Sequence, residues 1–182
     1  MSDRDLLLAQ VRDKAVVHGR VTLSSGKEAD YYVDLRRVTL DGEAAPLVGR
    51  VMLDLTEDWG YDAVGGLTLG ADPVAYAIAY ASAQQGRPIR AFTVRKEAKT
   101  HGTGQLIEGP LKPGDRVAIV EDVITTGGSA LKAAAAVRAA GGVIAGILAV
   151  VDREEGGTEA LEVQGFSVIA LTRAGEITPH MQ

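Results

Sequence analysis

Arg116-Val-Ala-Ile-Val-Glu-Asp-Val-Ile-Thr-Thr-Gly-Gly-Ser129 joins an apolar run to two acids and a loop of small residues. Residues 117–120 predict a buried strand, and they lead directly into the adjacent carboxylates Glu121 and Asp122. Thr125, Thr126, Gly127, Gly128 and Ser129 then open an alanine-rich pattern that predicts a helix over 129–140. Helix N-termini carry unpaired N–H groups and partial positive charge, so they receive phosphate well. Small residues let those N–H groups approach an anion, and the Thr and Ser hydroxyls add donors. Two carboxylates at a strand end suit the hydroxyls of a sugar diol, or Mg²⁺ held through water. Alone, Thr-Gly-Gly-Ser is an ordinary helix cap. With the strand and acid pair ahead of it, the segment asks for a phosphate and a ribose together. A phosphate loop ending in Gly-Lys-Ser or Gly-Lys-Thr occurs nowhere, and Gly102-Thr-Gly104 is followed by Ile107 where a dinucleotide fingerprint needs Gly or Ala.

The same rhythm extends on both sides. Short Val-, Ile- and Ala-rich runs at 63–66, 89–95, 117–120, 143–151 and 167–171 predict strands, with helical patterns at 73–85, 129–140 and 158–163 between them. Apolar strands alternating with helices imply an α/β fold with a mainly parallel, doubly wound sheet covered on both faces. Ligands in such sheets bind beyond the carboxyl ends of the strands, so the loops after them should carry the chemistry. Before this core, at about 60–172, the sequence predicts a helix over 3–17, two strands at 21–23 and 31–35 joined by the turn Ser24-Ser25-Gly26, and a helix over 43–59. No repeat or linker divides the chain, and its 182 residues fit one domain, 1–182, with an N-terminal helix and strand pair over about 1–40.

Composition removes other classes. The chain has no cysteine, so disulfides, thiolate metal sites and thiol nucleophiles are excluded. No apolar run approaches the ~18 residues of a membrane span, and the N-terminal residues lack a signal-peptide pattern; the expected location is the cytoplasm. A net charge of −5 argues against a nucleic-acid surface. The 22 glycines follow no collagen period and cluster at a few points.

Residues 95–109 are the exception to the acidic average. Arg95, Lys96, Lys99 and His101 are gathered with Gly102 and Gly104 at a strand end, as a lid that closes over a polyanion and excludes water would require. Arg suits bidentate phosphate contact and Lys acts as a compact charge.

The segment 117–129 resembles the phosphoribosyl-diphosphate (PRPP) signature of type I phosphoribosyltransferases. Arg95-Lys-Glu-Ala-Lys-Thr-His-Gly102 is similar to the catalytic loop of orotate phosphoribosyltransferases in particular. Val21-Thr-Leu-Ser-Ser-Gly26 with Asp30-Tyr-Tyr-Val-Asp34 resembles the family's base-covering hood, and Val151-Asp-Arg153 its orotate-contacting arginine. The resemblance implies transfer of the phosphoribosyl group from PRPP to orotate, giving orotidine 5′-monophosphate and diphosphate in UMP biosynthesis. It assigns PRPP to Arg95, Lys96, Lys99, His101, Glu121, Asp122, Val123, Ile124, Thr125, Thr126, Gly127, Gly128 and Ser129, with Lys99 and Asp122 catalytic. It assigns orotate to Thr125 and Arg153, the latter pairing its fork with the substrate carboxylate. Tyr31 and Tyr32 are placed to flank the base. It further implies Mg²⁺ carried by PRPP without a direct protein ligand, and a homodimer whose 95–109 loop is shared across the interface.

Some positions depart from the family. Ser24 and Gly70 stand where relatives often have Lys, with Lys27 near the first, and Glu121 replaces the commoner Asp. Two other readings remain open at this point: a uracil or purine phosphoribosyltransferase, which leaves Arg153 without a carboxylate to pair, and a PRPP-sensing regulator that binds nucleic acid.

Overall fold

The computed structural model describes residues 1–22, 26, 28–97 and 105–178. Ser2 caps α1 (Asp3–Gln10): its hydroxyl accepts the Asp5 N–H, and the Asp5 carboxylate takes the Ser2 N–H in return. The helix expected over 3–17 stops short. Val11–Ala15 winds into a π turn and Val16 begins a strand. The β-branched pair Val16 and Val17 is claimed by cross-strand partners Val33 and Tyr32, so pairing overrides the helical pattern.

β1 (Val16–Thr22) and β2 (Glu28–Val33) form an antiparallel pair, the N-terminal hood. Both lie N-terminal of their expected positions, with Val16 opposite Val33 and Val21 opposite Ala29. Leu23, Ser24, Ser25 and Lys27 lie outside the described residues. Then come α2 (Arg36–Thr39) and α3 (Ala45–Asp54), the latter with Pro46 in its first turn, where a missing N–H costs nothing. The helix expected over 43–59 is therefore shorter, its last residues forming a separate 3₁₀ turn, Glu57–Trp59.

The core follows as β3 (Ala63–Leu67), α4 (Ala71–Gln84), β4 (Arg90–Val94), β5 (Ile107–Glu108), β6 (Arg116–Ile124), α5 (Gly128–Ala139), β7 (Val143–Asp152), α6 (Gly157–Val163), β8 (Val168–Arg173) and α7 (Ala174–Ile177). Its six strands lie in the order β5-β4-β3-β6-β7-β8. All neighbours are parallel except β4 and β5. Along the central strands the apolar side chains alternate between two buried layers. Val64, Ala118, Val120, Leu148 and Val150 pack with α1, α3 and α4 on one face. Ala63, Val117, Ile119, Ile147 and Ala149 pack with α5 and α6 on the other. This is the doubly wound α/β sheet that the near-continuous apolar runs imply.

Strand order places the site. From β3 the chain crosses to β4 on one side, and β6 lies on the other, so the carboxyl ends of β3 and β6 flank the switch point of the sheet. Among the described residues no helix is long and apolar enough to cross a membrane.

Candidate active site

Three strand ends and the hood converge on the crevice. β6 supplies the acids and the loop 125–129, β3 supplies the loop 68–70, and β7 ends at Asp152 and Arg153. The acids do not lie beyond their strand, as expected, but within it: β6 continues to Ile124, with Glu121 paired to Ala149 and Val123 to Val151. Ladder bonds thus fix the backbone of both carboxylates before any ligand arrives.

Glu121 is 6% exposed, and its Oε1 is buried without a hydrogen-bond partner. Burial, reinforced by the charge of Asp122, pushes its carboxyl up to about 8. Asp122 is raised too, chiefly by burial, against the opposing pull of backbone N–H groups, the Val123 N–H at 2.9 Å among them, and of the Arg36 cation. A buried carboxyl with an idle oxygen is a costly arrangement unless a ligand's hydroxyls complete it. Gly70 lies against the Asp122 carboxylate so closely that a Cβ there would collide with it. The missing side chain at 70 is therefore the space Asp122 occupies.

The loop 125–129 is shaped by two glycines. Gly127, buried at φ +80°, takes the left-handed turn that starts α5. Gly157, at the start of α6, packs so tightly on the loop that a Cβ would strike the Thr125 carbonyl. Residues 125–130 with Glu121 close around a narrow polar hollow, with Thr126, Gly128 and Ser129 exposed to it or to solvent. Val123 and Ile124 serve differently from the other residues in the PRPP set. Ile124 turns its side chain into the core, and its carbonyl accepts the Arg153 N–H at 2.9 Å.

That last bond sets Arg153 directly beside the phosphate loop. Its side chain is 9% exposed, Nη2 lies 3.3 Å from Glu155, and Nε is buried without a partner. The guanidinium carbon lies 5.4 Å from the centroid of the Tyr31 ring, so the hood covers it from above. Asp152 holds this corner: its oxygens accept the Glu154 N–H and the Thr158 hydroxyl, both at 2.8 Å. Sequence reasoning passed over Asp152 and Thr158, whose role arises only because the chain folds back on itself.

Arg36 is a third residue it missed. Asp34 accepts its Nε at 2.8 Å, and its charge is felt at Asp122. In the basic segment, Arg95 donates to the Glu97 carbonyl and lies 3.6 Å from Glu108, while Lys96 is exposed. Lys99, His101, Gly102 and Gly104 lie outside the described residues. Among the described residues no group of three or more His, Asp or Glu side chains could hold a metal ion.

No protein-family model matches the chain. It is 62% identical over 159 residues to an orotate phosphoribosyltransferase of Streptomyces avermitilis, covering 87% of each chain. A crystal structure of the Mycobacterium tuberculosis H37Rv orotate phosphoribosyltransferase with Fe(III) dicitrate superposes with a TM-score of 0.87 at 55% identity, covering 97% of this chain and 99% of that one. The mainly parallel, doubly wound sheet is the type I phosphoribosyltransferase fold, which defines the class. The mycobacterial enzyme in complex with PRPP matches as well, with a TM-score of 0.84 at 50% identity over 97% of this chain and 99% of that one. The chain belongs to the orotate phosphoribosyltransferase family.

Proposed function

We propose that the crevice at the β3–β6 switch point binds PRPP and orotate and transfers the 5-phosphoribosyl group to the base. A ring nitrogen of orotate gives up its proton and forms the bond to C1 of the ribose as the C1–oxygen bond breaks, the bonding pair leaving with diphosphate. The products are orotidine 5′-monophosphate and diphosphate, in UMP biosynthesis. No covalent nucleophile is needed, and the protein's contribution is positioning and electrostatics.

The observation that carries this reading is the place of Arg153. It is a nearly buried cation with an idle Nε, under an aromatic ring, and its backbone N–H is bonded to the carbonyl of Ile124, the last residue of β6 before the loop 125–129. A planar carboxylate such as that of orotate pairs with such a fork bidentately. Uracil and the purines bring no charge to it. Thr125, on the same loop, contacts the base from below. Glu121 and Asp122 take the ribose hydroxyls, and the N–H groups and hydroxyls of Thr125 to Ser129 cradle the 5′-phosphate. Mg²⁺ enters on PRPP and offsets charge on the diphosphate. Arg95, Lys96, Lys99 and His101 add the cations of the lid, with Lys99 the catalytic one.

The whole chain, 1–182, acts as one phosphoribosyltransferase domain, in a homodimer whose 95–109 segment reaches the partner's site. An apolar face supports the dimer: Leu40, just after α2, and Tyr76 and Tyr80 of α4 are exposed around one shallow hollow, Tyr80 at 75%. A cytoplasmic location belongs to the same reading, and fractionation of the source cells checks it. The direct test of function is the loss of orotate absorbance with PRPP and Mg²⁺, uracil and adenine being run in parallel. Turnover of orotate alone, abolished by a chelator, is expected. Turnover of uracil in its place would overturn the assignment.

A further inference from the structure

Asp72, in the first turn of α4, is 7% exposed and has no part in the chemistry described above. Its two oxygens are committed to different elements. Oδ2 accepts the Thr68 hydroxyl at 2.6 Å, from the loop that follows β3. Oδ1 accepts the Thr93 hydroxyl at 2.9 Å, from β4. The Thr93 oxygen in turn lies 3.0 Å from the Tyr76 hydroxyl. A threonine has one proton to give, and here it goes to Asp72, so Tyr76 is the donor in that contact.

The two elements tied together border the site from different directions. The loop 68–70 ends at Gly70, which abuts the Asp122 carboxylate. Thr93 pairs with Gly66 on one side and Glu108 on the other, two residues before Arg95. It therefore sits in the β4–β5 stem from which the basic segment springs, a stem closed by the Arg95 N–H to the Leu106 carbonyl at 2.7 Å. The Thr68 N–H also bonds the Val94 carbonyl at 2.8 Å, so loop and stem are joined through backbone as well as side chain. A carboxylate with one strong acceptor bond to each holds them at a fixed separation, and in a buried setting such bonds are strong.

We infer that Asp72 is a positioning residue, clamping Thr68 to Thr93 so that the loop beside Asp122 and the stem of the basic segment face the diphosphate half of PRPP in register. The inference rests on the proposed placement of PRPP over Glu121 and Asp122. The clamp acts at the opposite end of the crevice from Arg153 and Tyr31, so it governs PRPP and diphosphate and leaves orotate untouched. A merely structural role would lower stability and disturb both substrates alike.

The test uses Asp72→Asn, Thr68→Val and Thr93→Val in the full-length protein, with Thr68→Ser and Thr93→Ser as conservative rescues. Titration calorimetry with Mg-PRPP and with Mg-diphosphate reads the clamp without any base, and steady-state kinetics reads both KM values. Each of the three clamp-breaking variants is expected to weaken PRPP and diphosphate about tenfold, with the orotate KM within twofold of wild type and the serine variants restored. Should Asp72→Asn fail to fold, the two valine variants carry the test. Wild-type affinity in the valine variants, or equal losses for PRPP and orotate, overturns the clamp. If wild-type protein binds PRPP but does not consume orotate, the proposed reaction fails while the clamp is still decided by the calorimetry.

Discussion

The guanidinium of Arg153 and the ring of Tyr31 meet at 5.4 Å, which joins the hood to the end of β7 and roofs the base side of the crevice. A cation over an aromatic face in a partly desolvated setting is worth about 0.5–2 kcal/mol. Tyr31→Ala is expected to raise the orotate KM about tenfold and leave the PRPP KM within twofold. Tyr31→Phe keeps the ring and should stay within threefold of wild type. Equal behaviour of the Ala and Phe variants would remove the ring from base binding.

Arg153 offers a fork that no lysine copies. Arg153→Ala is expected to lower kcat/KM for orotate by about a hundredfold or more, corresponding to roughly 3 kcal/mol of charge-assisted pairing. Arg153→Lys should recover less than a tenth of the lost activity. PRPP binding measured by calorimetry should survive both changes.

Glu121 links stability to pH. Its carboxyl is raised from 4.5 in the unfolded chain to about 8 in the fold, by burial and then by Asp122. Between those values the folded state holds a proton that the unfolded state has released, so this group's contribution is complete below 4.5 and falls as pH rises toward 8. Glu121→Gln carries no such proton. Denaturant melts from pH 5 to pH 9 should show the variant gaining on wild type across that window, by a few kcal/mol at most, while losing PRPP affinity. Parallel pH profiles would mean that Glu121 is not held protonated.

Gly70 separates function from folding. The three atoms that a Cβ at this position would meet first all belong to the Asp122 carboxylate, the end of a side chain that can rotate away. Gly70→Ala should therefore melt within about 1 kcal/mol of wild type, yet raise the PRPP KM several-fold by displacing Asp122. A change in melting with no change in PRPP KM would contradict this account.

Lys99 tests the lid. Its truncation removes a cation that strengthens as charge develops on the departing diphosphate, an effect felt in kcat. Lys99→Ala is expected to cut turnover about a hundredfold with little change in the Kd for orotate. Undiminished turnover would take the residue out of the mechanism.

The α/β class and the run from strand to acids to small-residue loop were legible in the residues, whereas Arg153 was singled out only by the family resemblance. The first two are encoded locally: apolar runs of strand length, and small residues where a helix must begin. The N-terminal region was misjudged for the opposite reason. Val16 and Val17 continue a helical pattern, but their partners Val33 and Tyr32 lie far along the chain and draw them into β1. Likewise the acids lie inside β6, since neighbouring β7 extends the ladder past them.

The sequence by itself thus determined the class of fold and offered the candidate residues of the site, because strand periodicity and helix starts depend on neighbours only a few residues away. Tertiary structure alone decided which groups work together. Tyr31 over Arg153, Gly70 against Asp122, and Asp72 bonded to Thr93 are contacts made by packing, over separations in which no local pattern is written. The raised carboxyl of Glu121 belongs with them, since burial is a property of the assembled sheet and not of the residue.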